Sequence, residues 1–345
     1  MGLFGRSKVT AGLDIGSGFV KLVVIDHGKG DPEITKIATS PLVPDAIVEG
    51  EIMDPVLVAE TIRSVVDSAG VPRKNVVAAV GGHDVIIKKI QMDRMDDGEA
   101  RELIRWEAHQ HVPFDMESVQ LDFQILDPAG NDPQMSVLLV AAKRELIENR
   151  LTLLSDAGLS PSVIDVDAFA LHNAFEQSYP DSMSGLVALV NMGHETTNVN
   201  ILEDGVPIVV RDIPFGSRRI REALQRERGL TADRAEAVIQ AHEDAPDLES
   251  FVVERVDELA VGIERAIAFI TAQSGGEGVS QVYLSGGGAR VPGVVPALGE
   301  RLGVRTHLAN PLERVAVRPE VNLEVAVDEV APMLMLPVGL AMRRA

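Results

Sequence analysis

The chain has 345 residues, enough for two domains or for two halves of one large α/β body. Hydrophobic residues make up 46% and aromatic residues only 3%, so a sizeable core is available and aliphatic side chains must form it. A formal net charge of -20 repels phosphate backbones and anionic lipid, which argues against nucleic acid and membrane surfaces as partners, and the absence of cysteine removes disulfides, thiolate metal sites and a cysteine nucleophile.

No apolar run reaches the roughly 20 residues of a membrane span. Arg6 and Lys8 are followed by no apolar h-region before Asp14, so the start does not read as a signal peptide. The expected setting is the cytoplasm, without direct membrane insertion.

Strands are predicted over 9–15, 19–26 and 33–38, joined by tight turns as a meander. The first turn is Asp14-Ile15-Gly16-Ser17-Gly18-Phe19-Val20-Lys21. Its glycines allow a tight bend and leave a row of N–H groups unshielded, an anion-binding concavity suited to the β- and γ-phosphates of a nucleotide. Asp14 is placed to hold hydrated Mg²⁺, and Lys21 to offer a point charge to phosphate oxygens. The stretch is not a GxxxxGK[ST] P-loop, and an ordinary hairpin with a Gly-rich turn has the same pattern.

Asp54 and Pro55 read as the cap and first position of a helix that closes at Gly70, and a strand over 76–80 ends at Gly81-Gly82. Residues 84–155 have a different character, that of a small inserted subdomain. A strand over 84–91 precedes a charged helix over 97–111, stopped by Pro113; strands over 121–126 and 135–142 and a helix over 143–157 follow. Trp106, on the charged helix, is expected to be a partly buried packing residue. His109 and His111 are two apart, do not share a helix face and read as surface residues.

A strand over 163–166 and a helix over 167–177 lead to a polar boundary at 178–184. Beyond it the opening pattern returns: an apolar strand, then Asn191-Met192-Gly193-His194-Glu195-Thr196-Thr197, then another strand. Asp14 and Asn191, like Gly28 and Gly205, are 177 residues apart, a weak internal duplication of a three-strand unit. Helices are predicted over 217–228, 231–242 and 248–274. A strand over 281–285 then runs into Gly286-Gly287-Gly288 and a helix over 294–302, an arrangement in which backbone and helix dipole favour anions. The apolar tail 332–344 is expected to pack on the first half.

Two such hairpins followed by a Gly-rich loop resemble the actin, sugar-kinase and heat-shock-chaperone ATPase superfamily over nearly the whole chain. Residues 14–21, 190–197 and 284–290 resemble its first phosphate, second phosphate and adenosine motifs, and 164–171 and 336–341 its connecting helices. Within it the chain is most similar to the PilM family of type IV pilus assembly. That similarity rests on 2–6, 103–108 with 111–114, 153–158 with 164–170, 286–292 and 310–314. The subdomain also sits where PilM and the division protein FtsA place theirs.

The resemblance implies an α/β, actin-like ATPase (ribonuclease H-like) duplicated fold, two lobes around a nucleotide cleft. Its expected parts are a first-lobe core at 1–83, the inserted subdomain at 84–155, a return to the first lobe at 156–185, a second lobe at 186–330 and a C-terminal helix at 331–345. It implies ATP and Mg as cofactors, held by Asp14, Gly16, Ser17, Gly18, Lys21, Asn191, Gly193, Thr196, Glu236, Gly286, Gly287 and Gly288, with Asp14 reaching the metal through water. It implies an adaptor peripheral to the inner membrane that binds the cytoplasmic N-terminal peptide of PilN beside the subdomain and connects to the pilus motor ATPases. Candidate groove walls are 85–90 and 137–140.

Two departures point to slow or absent hydrolysis. Asn191 stands where the family has Asp, and Ile239 stands at the lysine of an Ala-Glu-x-x-Lys pattern that begins at Ala235 and Glu236. The other readings are a small-molecule kinase using Asp165 or Asp167 as base, with Asp167 equally an N-cap, and an FtsA-like filament protein.

Overall fold

The structure is a computed structural model, and residues 9–28, 30–272, 278–321 and 326–343 of it are described here; the 2–6 segment lies outside them. The meander forms as expected: β1 (Val9–Ile15), β2 (Phe19–Asp26) and β3 (Glu33–Pro41) are antiparallel neighbours. A small hairpin, β4 (Ile47–Val48) and β5 (Glu51–Ile52), precedes α1 (Pro55–Ala69). Asp54 caps α1 through the Leu57 N–H, and Gly70 ends it at φ 58°. The chain returns along β6 (Lys74–Val80), parallel to β1.

The inserted part is β7 (Val85–Asp93), α2 (Asp97–Ala108), β8 (Val119–Ile125) and β9 (Gln134–Lys143), a three-stranded antiparallel sheet with β9 in the centre. A capping box of Asp96 and Glu99 starts α2. Its buried side is Ala100, Ile104 and Ala108, four residues apart, packed on Val137 and Leu139 of β9 in a core of its own. Val137 and Leu139 are fully buried there, which rules out this face of β9 as a groove wall. Trp106 lies off the buried stripe and is 68% exposed, against expectation. It lines a shallow hollow of about 540 Å³ with Glu102, Arg105, His109, Gln110 and Met116.

Helix α3 (Arg144–Asp156) leads to β10 (Ser160–Val166) and α4 (Asp167–Ser178). The second half repeats the first: β11 (Leu186–Met192), β12 (Thr197–Glu203), β13 (Val206–Ile213), α5 (Ser217–Arg228), α6 (Ala232–Ile239), α7 (Leu248–Thr271), β14 (Gln281–Ser285), α8 (Val294–Leu302) and β15 (Arg305–Leu308). A short β16 (Ala316–Val317) pairs with β3, and α9 (Val327–Val330) and α10 (Met335–Met342) close the chain.

The sheets read β10-β6-β1-β2-β3-β16 and β13-β12-β11-β14-β15. The repeat thus extends from three strands to five, in the same order and with the same senses: two antiparallel pairs, then two parallel ones. Period-2 alternation splits the core. On β2, Leu22 and Val24 face α1 and α3, while Val23 and Ile25 face α4 and α10. Val187 and Leu189 of β11 and Tyr283 of β14 reach the same α4–α10 cluster from the other sheet. The two helices are therefore the seam between the halves. Leu336, Val338 and Leu340 of α10 are at most 6% exposed, and such burial contributes roughly 1.5–3 kcal/mol for each side chain. Gly12 and Gly339 let the seam close: a Cβ on Gly12 would lie 2.1 Å from the Pro337 carbonyl oxygen, and one on Gly339 1.7 Å from that of Ala170.

Candidate functional site

The two hairpins share one construction. The Gly16 N–H donates to the Phe19 carbonyl at 3.1 Å, and the Gly193 N–H to that of Thr196 at 2.9 Å. These partners are related by the same 177-residue step read in the sequence. The turns also meet. A Cβ on Gly18 would lie 2.9 Å from Cβ of His194, so the first hairpin abuts the second where only glycine fits. Gly193 is confined by its own turn: a Cβ there would lie 2.7 Å from the Thr196 oxygen. Ser17 and Thr196 are half-buried at the two bends.

The chemistry behind the turns differs. Asp14 and Lys21 are cross-strand partners and form an ion pair, with side chains 11% and 14% exposed. The matching partners in the second half are Asn191 and Asn198, both uncharged. Asn191 Oδ1 lies 3.3 Å from Ser285 Oγ. Asn198 donates to Asp212 at 2.9 Å, and its own Oδ1 is buried without a partner.

Asp167 stands at the first turn of α4, close enough to β6 that a Cβ on Gly81 would lie 2.3 Å from its Oδ2. Val166, not Asp167, is the helix N-cap, and no side chain caps that end. Burial and the Asp14 carboxylate push the Asp167 carboxyl up to about 7; Arg150 and Lys21 oppose the rise, and Asp212 adds to it from the other sheet. Arg150 projects from α3 toward Asp167 and Asp14, and burial lowers its guanidinium. Asp165 is separate: its Oδ1 accepts the Val166 N–H at 2.8 Å, and its Oδ2 lies 3.5 Å from Arg343. Of the two candidate bases, only Asp167 is grouped with Asp14.

The three glycines after β14 have different duties. Gly286, at φ 90°, and Gly288 press on the end of β11, where a Cβ would lie 2.3 Å from the Met192 carbonyl oxygen and 2.4 Å from its Cγ. A Cβ on Gly287 would meet nothing within 4 Å, so open space remains there. The helix after these glycines spans Val294–Leu302, as expected, and does not abut them. A 3-10 turn, Gly287–Arg290, intervenes, and α8 begins at Val294.

Glu236 sits on α6 with Arg221 of α5 at 3.3 Å from Oε2 and Gln240 at 2.7 Å from Oε1. Ile239 is 4% exposed in the second-half core, a place unsuited to lysine. At the mouth, Arg218 of α5 reaches Glu195 of the second hairpin and Asp45 of the β4 loop, both at 2.7 Å. Glu195 also accepts the Glu49 N–H at 2.9 Å, and both Asp45 and Glu49 have positive φ. The sequence reading did not select Arg150, Asp212, Arg221 or Arg218.

A nucleotide with magnesium fits this donor set. Hairpin N–H groups, Lys21 and Arg150 suit phosphates, and the open space at Gly287 suits a flat group. Among the described residues no three carboxylates or imidazoles converge to bind a metal directly, so magnesium would be held chiefly by phosphates and water. No helix among the described residues is long and apolar enough to cross a membrane.

Comparison with known proteins places this geometry. The chain is similar to a solved PilM in the PilM-PilN type IV pilus biogenesis complex, with 29% identity, TM-score 0.83 and 98% of each chain covered. It shares its fold with EutJ of Carboxydothermus hydrogenoformans (17% identity, TM-score 0.54, 98% of this chain and 90% of that one). It also shares it with MreB5 of Spiroplasma citri bound to AMPPNP (10% identity, TM-score 0.55, 97% and 95%). The fold is that of the actin-like ATPases. A sequence profile described as type IV pilus assembly protein PilM matches residues 12–345, and the chain belongs to that family.

Proposed function

We propose that this protein is an ATP-binding adaptor of type IV pilus assembly, holding Mg-ATP between its two hairpins and binding the cytoplasmic N-terminal segment of PilN beside the β7–β9 sheet. The observation that carries the nucleotide half is the pair of glycine hairpins, closed by matching turn hydrogen bonds, that meet at Gly18 and His194. Bound Mg-ATP would supply a compact polyanion. Lys21 would then exchange Asp14 for phosphate oxygens, and Asp14 would turn to the hydrated metal. Asn191 offers no charge to polarise water, so turnover would be slow or absent. The partner half is supported by the likeness to a PilM solved with PilN over 98% of both chains. Among the described residues β7 pairs with β9 and lies against β13, while β8, the other edge of the sheet, pairs with β9 alone, which suits an added extended segment. Tethering to the inner membrane would come from PilN, and the pilus motor ATPases would be the further partners.

Calorimetric titration of the protein with the N-terminal PilN peptide, with and without Mg-ATP, tests both halves. Micromolar or tighter binding, shifted by Mg-ATP, is expected. Failure of both ligands to bind refutes the proposal.

A further inference from the structure

The segment between β3 and α1, residues 42–53, touches both hairpins. At its start the Leu42 N–H donates to the Gly18 carbonyl of the first hairpin at 2.9 Å. Leu42, Ala46 and Ile47 are buried in the first-half core, and the Met53 and Asp54 N–H groups both donate to the Ala46 carbonyl, so the base of the segment is fixed. Two groups project from it toward the second half: the Asp45 carboxylate, an acceptor, and the Glu49 N–H, a donor. The second half offers the matching pair, with Arg218 as donor and Glu195 as acceptor, already joined to each other at 2.7 Å. That receiving pair is part of the second hairpin. The Ser217 and Arg218 N–H groups at the start of α5 donate to the Gly193 and His194 carbonyls at 3.1 and 2.8 Å. A Cβ on Gly216 would lie 2.3 Å from the His194 oxygen, so the helix start is pressed on the turn.

This docking is easily undone. The Asp45 side chain is 63% exposed, and an ion pair with so wet a partner is weak. Asp45 and Glu49 also stand at φ 64° and 51°, a conformation that L residues rarely adopt and keep where their surroundings hold it. Released from Arg218 and Glu195, the projecting part can relax while its base stays in the core.

We propose that residues 42–53 form a strap whose docking on Arg218 and Glu195 sets how fast nucleotide enters and leaves between the hairpins. The inference rests on the nucleotide reading above. None of the four docking groups is assigned to the nucleotide. Undocking therefore speeds entry and exit together and leaves affinity nearly unchanged, whereas loss of a ligand contact would speed exit alone.

The test is stopped-flow fluorescence of the full chain with magnesium and N-methylanthraniloyl-ATP, with exit read by a chase of unlabelled ATP. Asp45→Gly removes the carboxylate at a φ that suits glycine. It is expected to raise both rates roughly two- to fivefold, the size of one partly exposed ion pair. Arg218→Gln should do the same, and the double variant should add nothing further. Lys89→Ala breaks a different ion pair, 3.0 Å long, between the inserted sheet and Glu203 at the far end of β12, and should leave both rates unchanged. Unchanged rates in Asp45→Gly, a rise in exit alone, additive effects in the double variant, or an equal rise in Lys89→Ala overturns the inference and leaves the nucleotide reading standing. Wild type that binds neither the labelled probe nor ATP in calorimetry refutes the nucleotide reading and the inference with it.

Discussion

Replacing Gly339 by alanine tests whether the α4–α10 seam holds the halves together. The added Cβ would lie 1.7 Å from the Ala170 carbonyl oxygen and 2.5 Å from its carbonyl carbon. Both are backbone atoms inside α4, so no side chain can swing aside. Relief requires the helices to separate by about 1.5 Å, and overpacking of this kind costs typically 1–3 kcal/mol, occasionally more. Alanine regains about 1 kcal/mol of helix propensity over glycine. The displaced helix also loosens Leu336, Val338 and Leu340, all buried in the seam. The net expectation is a loss of about 2 kcal/mol, seen as a fall of several degrees in thermal midpoint. Circular dichroism should follow the transition, because the single Trp106 is 68% exposed on the subdomain and reports poorly on the seam. Gly278→Ala, with nothing within 4 Å of its Cβ, is the control and should be neutral. Equal midpoints for Gly339→Ala, the control and wild type would refute the seam.

Asp167 gives a pH dependence. Its folded carboxyl titrates at about 7 against 3.8 when unperturbed, so the folded state holds the proton more tightly. That stability is fully present below pH 3.8 and is lost as pH rises through about 7. Asp167→Asn should therefore match wild type near pH 4 and exceed it near pH 8 by about 2 kcal/mol in urea titrations, after discounting a half-buried group for solvent. Asp14→Asn should lower Mg-ATP affinity tenfold or more in calorimetry and cost about 2 kcal/mol of stability, because it strands Lys21 at 14% exposure. Arg218→Ala should speed amide exchange over residues 45–49 while changing global stability by less than about 1 kcal/mol, since Asp45 is largely exposed. Trp106→Ala should change the thermal midpoint within error, about 0.5 kcal/mol or less, and wild-type fluorescence should be readily quenched by iodide.

The parts legible in the sequence are those whose cause is local. Glycine turns at Gly16 and Gly193 and the 177-residue step marked both hairpins, and the Asp54-Pro55 start and Gly70 stop marked α1. At Trp106 residue type suggests burial but spacing does not: Ala100, Ile104 and Ala108 form the buried stripe, and position 106 is off it. Other features depend on what approaches from afar. Gly12 sits mid-strand and Gly339 mid-helix, and neither pattern tells that a carbonyl lies against it. Helix α5 carries five arginines, at 218, 219, 221, 226 and 228, with no local mark separating Arg221 from Arg226. Arg150 and Asp212 join the site only through the packing of α3 on its sheet and the pairing of β13 with β12.

The duplicated hairpins hold the same backbone and unequal charge, and this asymmetry bears on what the cleft can do. The first half carries Asp14 and Lys21 as a shielded ion pair, while the second has only amides at the matching positions. Charge for a polyanion therefore comes mostly from one side, with Arg150 behind it. The second hairpin is fastened differently: Glu195 holds Arg218, which also reaches Asp45, and accepts the Glu49 N–H. A ligand that pulls on the Gly193 turn would pull on that clasp, because Glu195 is two residues away. For an adaptor of the kind proposed, occupancy of such a cleft acts on a partner only through a difference in affinity between two arrangements of that clasp.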